Sequence, residues 1–142
     1  MDDIDQLSQR LPLLSPCMDS IRKASHSLTT AFQSGNKLLL CGNGGSAADC
    51  EHIAGELVKR FSKPRHIRGE LAEKLGQELT QILHGGLPAL SLPSMMGFHT
   101  AFANDDDSQY AFAHQVLAFG TPGDVLLCIS TSGNSENLVH AV

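Results

Sequence analysis

The 142-residue sequence contains no apolar run near the ~20 residues that a membrane-crossing helix requires. It has no CxxC pair. Its four cysteines, Cys17, Cys41, Cys50 and Cys128, are too few and too scattered for a disulfide framework, so a cytoplasmic location is expected. There is no internal repeat and no low-complexity segment. The N-terminal stretch MDDIDQLSQR is acidic and polar, unlike a secretory signal. Charge is sparse, at 18% of residues, and the formal net charge is −5. That balance argues against nucleic acid as the main ligand. It leaves room for a phosphorylated small molecule, because a few backbone N–H groups can hold a phosphate on an acidic protein. What is present is ordinary for a globular protein: 42% of residues are hydrophobic, and the length suffices for one domain with a core.

Leu7, Leu11, Leu14, Met18, Ile21, Leu28 and Phe32 recur at helical spacing, interrupted by Pro12 and Pro16. Ser15 and Pro16 read as an N-cap followed by the first helical residue. The expectation is a set of N-terminal helices over residues 1–35: a short helix, a break, and a longer helix ending near Gly35. An α/β core is expected over residues 36–142. Residues 37–41 are a continuous apolar run followed at once by a Gly-rich turn and then by a helical pattern at Ile53, Ala54, Leu57, Val58 and Phe61. Residues 62–86 read as an insertion. They hold an amphipathic helix over 70–83 with Leu71, Leu75, Leu79 and Ile82 on one stripe. Residues 87–92 and 124–129 are two further strand candidates, with helical patterns over 95–103 and 109–119 between them and another starting near Glu136. Strand, turn and helix in succession predict a parallel α/β sheet.

Two of these strands end in small, polar, Gly-bearing turns that open helices: residues 42–46 (GNGGS) and residues 130–135 (STSGNS). A parallel sheet places both turns at the carboxyl ends of its strands, where doubly wound folds bind ligands. Glycine admits an anion close to the backbone, and free N–H groups and hydroxyls donate to phosphate oxygens. Either turn alone could be a plain helix cap. Two together, one with an excess of hydroxyls, favour a phosphate site. His52 and Glu56 lie one turn apart on the first core helix, with Asp49 near the same stripe. The pair can ligate a metal such as zinc, or Glu56 can act as a proton-transfer base; it can equally be a solvated surface pair. His26, His66, His84, His99, His114 and His140 show no ligand-like spacing. Residues 104–107 are either a plain polar loop or a contact for a sugar hydroxyl.

These motifs resemble those of SIS-domain phosphoheptose isomerases. The resemblance rests on GNGGS at 42–46, on His52 with Glu56, on Ala103-Asn104-Asp105, and on GDVLL at 123–127 running into STSGNS at 130–135. It implies a three-layer α/β/α, flavodoxin-like fold with a parallel sheet, in a single SIS domain over 1–142. It implies interconversion of ketose and aldose phosphates, namely sedoheptulose 7-phosphate and a heptose 7-phosphate, in a cytoplasmic homotetramer. Carried over by motif, Asn43, Gly44, Gly45 and Ser46 would contact substrate and Asn104 and Asp105 the sugar. Ser130, Thr131, Ser132 and Ser135 would hold the phosphate. His52 and Glu56 would ligate one zinc ion, with Glu56 as the catalytic base. Two features depart from the family. Residues 62–86 are longer than usual, and the late helix that supplies a further Gln and His has no match here. The chain is therefore expected to stop after the third strand, before the domain is complete. A non-catalytic SIS module, binding a phosphosugar or a protein such as a replication initiator, is the alternative.

Overall fold

A computed structural model describes residues 3–142. Its centre is β1 (Leu38–Gly42), fully buried along its length. Parallel strands flank it on both sides, β2 (Ala89–Ser91) and β3 (Val125–Ile129), in the order β2-β1-β3. Leu38 pairs with Ala89 on one side and Val125 on the other; Gly42 pairs with Ile129.

A strand turns alternate side chains to opposite faces, and β1 divides its leucines accordingly. Leu38 and Leu40 pack with Cys50, Ala54, Leu28 and Phe32 from α2 (Met18–Gln33) and α3 (Gly45–Val58). Leu39 and Cys41 pack with Phe112, Val116 and Leu138 from α6 (Ala111–Phe119) and α7 (Glu136–Val139). The result is the expected three layers. A strand buried on both faces has no polar side to alternate, which is why the run at 37–41 reads as continuously apolar. Burying each of those leucines contributes about 1.5–3 kcal/mol.

Four details differ from the sequence reading. Ser15 does not cap a helix. Residues Pro12–Cys17 form a 3₁₀ segment after α1 (Asp3–Arg10), and α2 begins at Met18 without a side-chain cap. Both prolines fit the tight turn, which needs neither of their missing N–H groups in a long ladder. The second strand is shorter than residues 87–92. Pro88 contributes its carbonyl to Leu38 N–H, and a 3₁₀ turn at Leu92–Ser94 ends the pairing at Pro93. Asn104 and Asp105 close the helix α5 (Met96–Asp105) rather than lying in a loop. The helix expected over 70–83 is α4 (Glu70–Ile82), broken inside at Gly76, where φ is 76° and ψ 169°.

Among the described residues, no helix is long and apolar enough to cross a membrane.

Candidate functional site

The β1–α3 and β3–α7 turns lie side by side at the carboxyl edge of the sheet because β1 and β3 are hydrogen-bonded neighbours. The first turn is shaped by glycine. A Cβ on Gly42 would meet the Ser46 carbonyl oxygen at 2.8 Å, so the chain can reverse this tightly only with hydrogen there. Gly44 holds φ at +55° and caps α3 with no side-chain bond. The second turn is held by its hydroxyls. Ser130 Oγ lies 3.3 Å from Ser132 Oγ and 3.1 Å from Ser135 Oγ, and it accepts from Gly133 N–H at 3.1 Å. Ser132 Oγ accepts from Asn134 N–H. A hydroxyl that turns from its neighbour to a phosphate oxygen keeps its hydrogen-bond count, so this turn can take an anion without orphaning a donor.

A reciprocal amide pair joins the two turns. Asn43 Nδ2 donates to Asn137 Oδ1, and Asn137 Nδ2 donates to Asn43 Oδ1, each at 2.9 Å. Next to this pair opens a cleft of about 550 Å³, bordered by Asn43, His99, Ser108, Gln109, Phe112, Ser135, Glu136 and Asn137. A second hollow of about 280 Å³ shares Asn43, His99 and Phe112 with the first and is also bordered by Gly44, Pro93, Met96 and Thr100. The larger cleft is lined mostly by polar groups, the smaller hollow mostly by apolar ones.

Of the residues singled out from sequence, Asn43, Gly44 and Ser135 border these hollows. Ser130 and Ser132 lie behind Ser135 in the same hydroxyl cluster, and Thr131 is exposed beside them. Gly45 and Ser46 begin α3. Asn104 and Asp105 bond to each other at 2.7 Å on the exposed end of α5, away from both hollows. His52 and Glu56 also border neither. At the helical rise of about 1.5 Å per residue they stand about 10 and 16 Å along α3 from Gly45. His52 is exposed and Glu56 half-buried. Among the described residues, no group of three or more His, Cys, Asp or Glu side chains gathers as a metal site. His52 and Glu56 offer two donors where zinc takes four ligands, so the residues present do not form a zinc site by themselves.

Asn137, His99, Ser108 and Gln109 were not among the sequence candidates. Asn137 directly follows the hydroxyl-rich turn and one helical residue, so extending that motif by a few positions would have included it. His99 stands alone in sequence and gives no such signal.

Cys41 and Cys50 are not nucleophiles. Cys41 is fully buried and donates to Cys128 Sγ at 3.3 Å; burial, then Cys128, pushes its thiol far above the ordinary range. Burial, with the Asp49 carboxylate second, pushes Cys50 up to about 11. Neither is a thiolate near neutral pH.

A protein-family model described as the SIS domain matches residues 5–84. This chain belongs to the SIS domain family. Its relatives include the phosphoheptose isomerase of Crocosphaera subtropica, 45% identical over 111 residues, which cover 78% of this chain and 47% of that protein. The phosphoheptose isomerase of Shewanella sp. (strain ANA-3) is 40% identical over 124 residues, covering 87% of this chain and 53% of that protein. The SIS domain chain described here thus spans about half the length of the curated relatives it matches. Among solved structures, a phosphoheptose isomerase from Neisseria gonorrhoeae superposes with a TM-score of 0.68 at 30% identity, covering 97% of this chain and 59% of that one. One from Francisella tularensis gives 0.68 at 26% identity, covering 99% and 68%. The fold is therefore the α/β fold of SIS-domain phosphoheptose isomerases.

Proposed function

We propose that the protein is an aldose–ketose isomerase of phosphorylated sugars, interconverting sedoheptulose 7-phosphate and a heptose 7-phosphate. The observation that carries this reading is the meeting of two anion-suited turns across the Asn43–Asn137 amide pair, beside a polar cleft. The names of the relatives support the choice of substrate.

Such an isomerase moves a proton between adjacent carbons through an enediol. It needs a phosphate anchor, contacts that fix the sugar chain, and a proton-transferring group. In this reading Ser130, Thr131, Ser132 and Ser135 take the phosphate, and Asn43, Gly44 and Gly45 border the sugar. Glu56 is the proton-transferring carboxylate of this reading, although among the described residues it borders neither hollow. No step is routed through zinc, because His52 and Glu56 alone do not complete its coordination. The reading includes a cytoplasmic homo-oligomer, tetrameric as in the family.

The test is turnover of sedoheptulose 7-phosphate by the intact natural protein, with Ser132→Ala and Ser135→Ala beside it. Each variant loses one or two hydrogen bonds to a charged phosphate, so KM should rise by roughly tenfold or more. Affinity for dephosphorylated sedoheptulose should not change. Equal losses for both ligands would remove the phosphate from this turn, and tight binding of the phosphosugar without turnover would make the protein a binding module.

A further inference from the structure

We propose that His99 is a substrate-contacting residue whose Nδ1 accepts a hydrogen bond from a hydroxyl of the sugar chain, and so helps select which phosphorylated sugar the cleft admits. The inference deepens the isomerase reading and rests on it.

His99, like Asn43, borders both hollows. One ring nitrogen is committed: Nε2 lies 3.1 Å from the Leu92 carbonyl oxygen. A carbonyl only accepts, so Nε2 carries the proton. That carbonyl is a firm anchor. Leu92 is completely buried, and its oxygen also accepts from the buried Gln115 amide at 3.0 Å. Two rings meet the imidazole edge-on, Phe98 and Phe112, each with centroids at 5.3 Å, which restricts its rotation. The orientation is therefore set from behind and from the sides.

With Nε2 donating to the carbonyl, the one other polar atom of an imidazole is Nδ1, an acceptor in that tautomer. It has no protein partner among the described residues, and it is not sealed from solvent. The imidazole that borders the space bounded by Asn43, Ser108, Gln109 and Ser135 thus has an acceptor with no protein partner. Those neighbours are neutral amides and hydroxyls, and among the described residues Glu136 is the one charged side chain lining that cleft, with no Lys or Arg there to draw a carboxylate. The lining suits a chain of hydroxyls, with its phosphate on the serine turn and one O–H directed at His99.

Two substitutions separate this role from a purely architectural one. His99→Asn sets an amide oxygen near the Nδ1 position and gives up the bond to Leu92. His99→Gln sets an amide N–H near the Nε2 position and gives up the acceptor. In the intact protein, His99→Gln is expected to raise KM for sedoheptulose 7-phosphate about tenfold, the cost of one lost hydrogen bond. His99→Asn should stay within about threefold of the parent. Inhibition by inorganic phosphate, which reads the serine turn alone, should be the same in all three proteins. The thermal shift given by the sugar phosphate, minus that given by phosphate, provides the same ordering without turnover. The reverse order, with Gln rescuing and Asn failing, would make His99 a prop for the Leu92 carbonyl. Parental KM in both variants would make it a bystander. A parent protein that neither binds nor converts a ketose phosphate would sink the isomerase reading first, and the His99 assignment with it.

Discussion

Asp124 is a carboxylate that ties two strands of this fold together. Its Oδ2 accepts from Lys37 Nζ at 2.6 Å and from Thr121 N–H at 2.8 Å, and its Oδ1 accepts from Lys37 N–H at 2.9 Å. The side chain is 6% exposed and stands just before β3, so it ties the start of that strand to the residue that leads into β1. Burial alone would raise its pKa. The donors from Lys37 and Thr121 override burial and hold the carboxyl well below the usual range. A depressed carboxylate stabilises the fold above its unfolded pKa, and that contribution is lost as pH falls through the folded value. Asp124→Asn should therefore cost roughly 2–3 kcal/mol at neutral pH. Denaturant titrations should show that gap constant from about pH 8 to about pH 5 and narrowing below about pH 4. A gap that widens on acidification would contradict the arrangement.

Elements differ sharply in how well they are tied down. β1 is buried throughout, whereas α4 turns Leu71, Leu79 and Ile82 outward with 56%, 43% and 65% exposure. Its helical period was readable from sequence, but period says only that a stripe exists, not that anything covers it. Gly76 breaks the helix in the middle, at a φ that other residues avoid. Ile82→Glu should then change stability by no more than about 0.5 kcal/mol, the range of surface substitutions. Leu40→Ala in β1 should cost about 2–5 kcal/mol. Thermal or denaturant melts of the two variants compare them directly, and a large loss at Ile82 would mean that α4 is packed in the intact protein. The same contrast explains what could be read beforehand. The three strands, the four main core helices and both glycine-bearing turns were legible because each is a local pattern of spacing and turn chemistry. The end of β2 was misplaced because Pro93 acts through a missing N–H, not through hydrophobicity. His99 was invisible because α5, β2 and α6 must first pack before an isolated histidine acquires an anchor at Leu92. That His52 and Glu56 share one helix face was legible from their spacing; that α3 carries the face two to three turns past the Gly-rich turn follows from the helical rise of about 1.5 Å per residue.

At the scale of the whole molecule, three parallel strands order the site through contacts that are distant in sequence. The Asn43–Asn137 pair spans 94 residues, and the β1–β3 ladder beside it joins segments almost as far apart. Neither turn has its partner until the central and outer strands are in register. Local fraying of α1 or α4 leaves the pair intact, whereas separation of β1 from β3 abolishes it. The ligand site is thus an observer of global order: it exists only in the fraction of molecules whose slowest, most distant pairing is complete. Binding should accordingly slow amide hydrogen exchange in β1 and β3, which opens only with the whole fold, by the factor that ligand occupancy adds to the unfolding constant. Exchange in α4 should proceed at its unliganded rate. Equal protection of α4 would show that its opening, too, is linked to the cleft.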